Sequence, residues 1–246
     1  MLALGAIVAL GLPTAQNADS LQAGASQYND WYAKSMPTGK CLSASEKRAQ
    51  LHQDQWALEV ADCKRGGYYV DIGSNDGETI SNSFTLDTKF GWSGLCTDPF
   101  PHGMEKRSCA VSKSALWDQA GKEVVFDHTS GDDGVFSKLD DLESGRDGIV
   151  AHLTTEKVTL VTKTAQQVFD EHGVPATVDF LSLDVEGAEI HVLKSMDFTK
   201  HCFRAVAIEH NFQEPNRSQM RSLLEAKGYT YSGSEEFDDY YTKVCA

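Results

Sequence analysis

The sequence predicts an α/β fold in which a mostly parallel sheet is covered by helices, and three observations carry that prediction. Tyr68-Tyr69-Val70-Asp71-Ile72 is aromatic and β-branched, the composition of a strand buried on both faces, and it stops abruptly at Gly73. Phe180-Leu181-Ser182-Leu183 is a second such run, halted by the acidic turn Asp184-Val185-Glu186-Gly187. Between and after these runs lie stretches with helical spacing, and strands that alternate with helices pair in parallel.

The chain has 246 residues, 41% of them hydrophobic and 24% charged, enough for one domain with a sizeable core. Residues 1–15 begin with the apolar run Leu2 to Leu12 and continue with Pro13-Thr14-Ala15. This resembles a signal-peptide core and cleavage zone, although no Lys or Arg precedes it. If it is cleaved, the protein enters the secretory pathway; if not, it is cytoplasmic. The run is too short for an ordinary transmembrane helix, and no stable membrane span is expected in the rest; a truncated anchor or a helix packed on the domain are the alternatives. Residues 16–42, rich in Ala, Ser, Gln and Asn and holding Pro37 and Gly39, read as a linker with one aromatic segment at Tyr28 to Tyr32.

The domain is expected over 43–246. Ser43 with Glu46 is a capping-box pair that opens a helix to about Val60, with Trp56 and Val60 on one face. Phe90 to Asp98 gives a second strand and Cys109 to Ser112 a third. Val124-Val125-Phe126 and Val158 to Val161 read as added strands flanking a polar segment, 127–157, expected to be a lid or substrate-binding insertion. Thr164 to Glu171 is a helix, Phe180 to Leu183 the fourth core strand, Ala188 to Met196 a helix and Ala205 to Ile208 the fifth strand. Asn216 and Gln219 cap a helix that turns Met220, Leu223 and Leu224 inward and ends at Gly228. Tyr229 to Tyr231 and Tyr240 to Val244 close the chain as a hairpin.

A net charge of −14 with no basic cluster argues against nucleic acid. The acidic runs Asp140 to Glu143 and Glu235 to Asp239 are expected to be solvated loops. There is no H-E-x-x-H, C-x-x-C or G-x-S-x-G pattern, so zinc hydrolase, thioredoxin-like and α/β-hydrolase chemistry have no support. Cys41 and Cys63 flank the expected helix, which at about 17 residues would be roughly 25 Å long and would keep them apart.

The chemistry-bearing residues sit at strand ends. Asp71-x-Gly73-x-x-x-Gly77 lets the backbone bend and approach a ligand, yet Asn75 and Glu78 occupy positions where a dinucleotide fingerprint requires glycine. Asp98 ends the second strand, beside the first loop in a doubly wound sheet, where a carboxylate can accept hydrogen bonds from both hydroxyls of a ribose; a turn-forming Asp before Pro99 is the plainer reading. Asp184, Glu209 and His210 fall at the carboxyl edge of strands four and five, where open α/β sheets bind ligands.

Taken together, Tyr69 to Gly77, Ser81-Asn82-Ser83, Gly91-Trp92-Ser93-Gly94 with Asp98-Pro99, Asp184-Val185-Glu186-Gly187-Ala188-Glu189 and Ile208-Glu209-His210 resemble the FkbM-type methyltransferases, in family order over roughly residues 50–246. Asp98 stands where the family more often has Glu, and Ser74 where it more often has Ala. The resemblance implies a Rossmann-like class I methyltransferase fold with a seven-stranded mixed sheet, one strand antiparallel, and helices on both faces. It implies S-adenosyl-L-methionine as cofactor, bound by Asp71, Gly73, Ser74, Asn75, Gly77, Asp98 and Pro99, with Asp71 toward the ammonium and backbone N–H groups at Ser74 and Asn75 toward the carboxylate. The reaction it implies is O-methylation of a hydroxyl on a small-molecule or carbohydrate acceptor. Candidates for proton removal are Asp184, Glu209 and His210. Asp184, Glu209 and Asn211 are also candidates to hold a divalent cation, an arrangement similar to that of metal-dependent catechol-type O-methyltransferases. The plainer reading is that Asp184 and Glu186 cap the following helix and Glu209 pairs with Arg204 or Lys243. The antiparallel last strand of the resembled fold also implies a Cys202–Cys245 disulfide in an exported protein. A non-catalytic binding protein on the same scaffold is the rival from another class, and an NAD-dependent enzyme the second rival.

Overall fold

In the computed structural model, which describes residues 37–43, 45–130, 138–139 and 154–246, the core is a seven-stranded sheet. The strands are β1 (Tyr68–Ile72), β2 (Ser93–Thr97), β3 (Ala110–Ser112), β7 (Thr177–Leu183), β8 (Cys202–Glu209), β9 (Thr230–Glu235) and β10 (Asp238–Thr242), in the spatial order β3-β2-β1-β7-β8-β10-β9. All neighbours from β3 to β8 pair in parallel, and β10 runs antiparallel to both β8 and β9. The expected mixed sheet with a single antiparallel strand is therefore what forms.

Period-two alternation divides the strand residues between two cores. Val70, Ile72, Leu181, Leu183, Val206 and Ile208 point to one face, which is covered by α3 (Ala165–His172), α4 (Glu189–Lys194) and α5 (Asn216–Ala226) through Val168, Phe169, Ile190, Leu193, Met220 and Leu224. Tyr69, Phe180, Ala205, Ala207 and Tyr240 point to the other, where they meet α1 (Gln53–Val60) and α2 (Phe84–Phe90) through Trp56, Ala57, Leu58 and Leu86. The small Ala205 and Ala207 lie in the cluster that takes the indole of Trp56, whose ring meets Tyr240 edge-on at 4.9 Å. Beside the main sheet, β4 (Glu123–Ser130) pairs antiparallel with β6 (Thr154–Val161), the two added strands expected from sequence, and with the short β5 (Lys138–Leu139), which lies inside the segment read as a lid. The segment read as a lid falls mostly outside the described residues, as do the apolar N-terminus, Tyr28 to Tyr32 and the acidic run Asp140 to Glu143.

Local expectations fail in three places. The helix expected from Ser43 starts only at Gln53: the Ser43 hydroxyl does donate to Glu46 at 2.6 Å, but no helix follows. Instead the Asp54 carboxylate accepts from the N–H groups of Arg48 and Ala49, and the Gln53 side chain accepts from Leu51 N–H, so the chain folds back on the helix start. That reversal brings Cys41 against Cys63, and the pair that a long helix would have separated is a disulfide with Cα atoms 5.2 Å apart. Val60, placed on the covered face, is 38% exposed. The helix α5 is entered without a side-chain cap, Asn216 being its first residue.

The third failure concerns Glu235 to Asp239, expected in solvent. Glu235, Asp238 and Asp239 are all buried. Each has a partner brought by another element: His52 Nδ1 lies 2.7 Å from Glu235, Gln53 donates to Asp238 at 2.7 Å, and Arg217 pairs with Asp239 at 2.7 Å. The run looked like a loop because two of those partners lie in a segment far away in sequence.

The six cysteines form three disulfides, Cys41–Cys63, Cys96–Cys109 and Cys202–Cys245, leaving none free. The last joins the start of β8 to the chain end across 43 residues, the pairing the family resemblance implied. Peptide mapping without reductant is expected to recover all three pairs from secreted protein. Replacing Cys202 and Cys245 together by Ser should cost about 3–4 kcal/mol from the loop-closure entropy returned to the unfolded chain, measured by urea denaturation.

Candidate functional site

Three parallel strand ends and their loops open a cleft at the carboxyl edge of β1, β2 and β7. Asp71 and Ile72 end β1, Thr97 ends β2, and Asp184 follows β7; all four line the cleft together with Gly73, Ser74, Asn75, Asp98 and Pro99. Its empty space is about 1100 Å³, part of it solvent at the mouth. Phe126 of β4 and Ala115 and Leu116 after β3 add an apolar wall, while Gln50 and Gln53 reach it from the folded-back segment before α1. The cleft therefore gathers most of the residues that the sequence singles out for a cofactor; Gly77 is absent from its lining.

The glycines have other duties than close approach to a ligand. Gly73 has φ +89, and a Cβ there would fall on the backbone carbonyl of Asp184. Gly77, with φ +70, would bring a Cβ to 2.5 Å from Met104 Sδ and 3.2 Å from the Arg107 side chain. Both glycines thus answer to the chain's own packing: one holds the β1 loop on the β7 loop, the other admits Arg107. Asn75, Ile80 and Glu186 adopt positive φ in the same loops, and Asn211 and Phe212 do so after β8, so backbone strain is concentrated at this edge of the sheet.

The N–H groups expected to meet a carboxylate are already engaged. Ser74 N–H donates to Thr97 O at 3.3 Å and Asn75 N–H to an Asp98 oxygen at 3.1 Å. The other Asp98 oxygen accepts from Phe100 N–H at 2.7 Å, which leaves one lone pair on each oxygen. Burial raises the Asp98 carboxyl above its ordinary value against the pull of those N–H groups. Asp71 is buried, accepts from the Ser83 hydroxyl, and is likewise raised by desolvation while the nearby Arg107 opposes the shift. By contrast Ser74 Oγ, Thr97 Oγ1 and Asn82 Oδ1 are buried at the cleft wall without a hydrogen-bond partner. Unpaired buried polar atoms are costly, and these three belong to residues that border the cleft.

Of the residues considered for proton removal, Asp184 lines the cleft, whereas Glu209 and His210 do not. Glu209, 1% exposed, accepts from Asn211 Nδ2 at 2.6 Å and lies opposite Asp238 on β10. Arg204 pairs with Asp179 and Lys243 donates to Lys227 O, so neither is the partner of Glu209. His210 is turned under the hairpin: its Nδ1 accepts from Phe212 N–H at 2.9 Å and its Nε2 lies 3.5 Å from Asp239. Burial lowers its pKa to about 4, with the charge of Asp239 pulling the other way.

Glu189, which sequence reasoning named only inside a motif, joins Asp184 and Glu209 in one group whose carboxylate oxygens lie within 4.8 Å of one another. Its Oε1 accepts from Val185 and Gly187 N–H at 2.9 and 3.1 Å, tying the acidic turn to the helix it begins. Desolvation raises its pKa to about 7 despite those N–H groups, and the charge of Asp184 adds to the rise. Arg107 was also missed, since a lone arginine in a loop carries no spacing signal.

An acid whose pKa is raised by folding holds a proton that the unfolded chain has already released, so stability is lost as pH rises from about 4.5 to about 7. In EDTA, urea denaturation is expected to show such a decline, with Glu189 responsible for at most about 3 kcal/mol of it. Glu189→Gln keeps the oxygen that accepts from Val185 and Gly187 and should flatten the decline; an unchanged slope would reject this role for Glu189.

Comparison with known proteins places the chain. No curated protein matches it. Among solved structures, the precorrin-6y C5,15-methyltransferase from Geobacter metallireducens GS-15 is similar over 85% of this chain and 97% of that one, with 10% identity and a TM-score of 0.41, too slight a likeness to argue from. The methyltransferase FkbM domain matches residues 71–231, from the acid of the first motif into β9. With well over half of its length matched, and with the cleft at the strand ends that the motifs border, this chain belongs to the FkbM methyltransferase family.

Proposed function

We propose that this protein transfers a methyl group from S-adenosylmethionine to a hydroxyl oxygen of a sugar or other small natural product. The family supports methyl transfer and, in general, the use of S-adenosylmethionine. The observation that carries the finer reading is the cleft wall itself, where Ser74 Oγ, Thr97 Oγ1 and Asn82 Oδ1 stand buried and unpaired beside the Asp98 carboxylate. A ligand with an amino acid group and a ribose has the donors and acceptors these atoms lack.

In this reading Asp98 uses its remaining lone pairs for the ribose hydroxyls and Pro99 lines the same wall. Asp71 supplies negative charge toward the ammonium, and Ser74 offers its hydroxyl to the amino acid group in place of the occupied N–H groups. Bound S-adenosylmethionine supplies an activated methyl group, so the protein's part is to align the acceptor, exclude water and accept a proton. Asp184, at the cleft surface, accepts the proton of the acceptor hydroxyl, with Glu189 and Glu209 behind it in the same group of carboxylates. His210, buried under the hairpin and hard to protonate, holds the turn after β8.

A second reading uses the same carboxylates differently: Asp184, Glu189 and Glu209 together hold a divalent cation that orients the acceptor oxygen. Asn211 then acts as a donor to Glu209 rather than as a ligand. Turnover of labelled methyl donor against a panel of hydroxylated acceptors separates the two readings: full activity in EDTA excludes the cation, and activity restored by Mg²⁺ or Mn²⁺ supports it.

Asp98→Ala is expected to weaken S-adenosylmethionine binding by about 1.5–3 kcal/mol in isothermal titration. Unchanged affinity in a folded variant would reject the ribose site. Tight binding of NAD in place of S-adenosylmethionine would reject the methyl-transfer reading altogether, and tight S-adenosylmethionine binding without turnover on any acceptor would favour a binding protein.

A further inference from the structure

The cleft wall from Gly77 to Ser83 is a series of turns without helix or strand, yet Thr79, Ile80, Ser81 and Asn82 on it face the ligand space. Its shape is set by a side chain on a different loop. Arg107 has a side chain only 1% exposed, and all three of its nitrogens are engaged. Nη1 donates to Gly77 O at 2.6 Å and reaches Ser81 Oγ at 3.4 Å, Nη2 donates to Ser83 Oγ at 2.7 Å and Tyr69 OH at 2.8 Å, and Nε donates to Asp87 at 3.0 Å. The Ser83 hydroxyl passes the interaction on by donating to Asp71. One guanidinium thus joins the wall at three points, the buried strand β1 and the helix α2.

The loop that carries Arg107 is closed covalently. Cys96, next to the end of strand β2, is bonded to Cys109 just before β3, and the loop so closed carries Asp98 and Pro99 at one end and Arg107 at the other. The ribose-side acid and the wall-side arginine are therefore carried by one loop whose bonded ends lie 13 positions apart.

We propose that Arg107 is the positioning residue of the ligand cleft and that the Cys96–Cys109 bond is the clamp that holds it in register with Asp98. The proposal rests on the reading of the cleft as a site for S-adenosylmethionine. Lysine cannot replace Arg107, because a single ammonium on a flexible stem cannot span acceptors on the wall, the strand and the helix at once.

The test compares Arg107→Lys, the double variant Cys96→Ser with Cys109→Ser, and Arg217→Lys, which alters a half-buried ion pair on the far hairpin. S-adenosylhomocysteine binding is measured by isothermal titration well below the melting temperature, and amide hydrogen exchange is followed in the unliganded proteins. The first two variants should each raise Kd at least about tenfold and speed exchange selectively over residues 74–83, whereas Arg217→Lys should lower the melting temperature without either effect. Exchange over 74–83 unchanged in Arg107→Lys, or a Kd moved no further than by Arg217→Lys, would overturn the proposal. If the unaltered protein fails to bind S-adenosylhomocysteine, the cofactor reading falls and the exchange result alone decides whether Arg107 positions the wall. Should Arg107→Lys not fold, Ser83→Ala, which removes only the hydroxyl between Arg107 and Asp71, decides by the same two measurements.

Discussion

The close contact between the backbone of Gly73 and the carbonyl of Asp184 is the constraint on which the rest of the site depends. Two neighbouring parallel strands, β1 and β7, end at the same level, and their loops must diverge to leave a cleft. Here they do so only after touching at a point where any side chain would collide. Asp184 is thereby held at the cleft surface, and the turn behind it is closed by the Glu189 carboxylate on Val185 and Gly187 N–H. A carboxylate at the start of a helix is favourable in itself; burying it beside Asp184 and Glu209 is not, and the raised pKa of Glu189 is the trace of that cost.

The same tension runs along the whole carboxyl edge. Asp71, Asp98, Glu189 and Asp238 are all pushed upward by desolvation, and each is only partly relieved by hydrogen bonds. Acids kept from water in this way are hard to justify by stability, because apolar residues of similar volume would serve the core better. Two of them, Asp71 and Asp98, line the cleft itself, and the loops that border it carry positive-φ residues, so cost to stability and the cleft coincide at one edge of the sheet.

Most of the fold was legible because its signals are local and periodic. Short apolar runs such as Tyr68 to Ile72 and Ala205 to Ile208 declare buried strands, and Gly228 with φ +83 ends a helix as such a glycine should. The motif residues were legible for the same reason, since each sits at the end of a strand. What escaped notice depends on partners distant in sequence. Ser43 and Glu46 make their bonds but not their helix, because Asp54 captures the N–H groups of Arg48 and Ala49 first. Glu235, Asp238 and Asp239 are buried because His52, Gln53 and Arg217 come to meet them. Arg107 has no pattern around it at all; only the three-dimensional meeting of Tyr69, Gly77, Ser83 and Asp87 gives it meaning.

The family match starts at residue 71, but the cooperative unit starts earlier. The stretch from Cys41 to Val60 is sewn to the domain by the Cys41–Cys63 bond, sends Gln50 and Gln53 into the cleft and gives hydrogen-bond partners to two buried acids of the last hairpin. A boundary drawn from shared motifs would cut through that arrangement. Such a boundary marks the part of the molecule whose chemistry is common property, whereas the stitched-on segment is where a lineage can alter the shape of the entrance without disturbing the strands beneath.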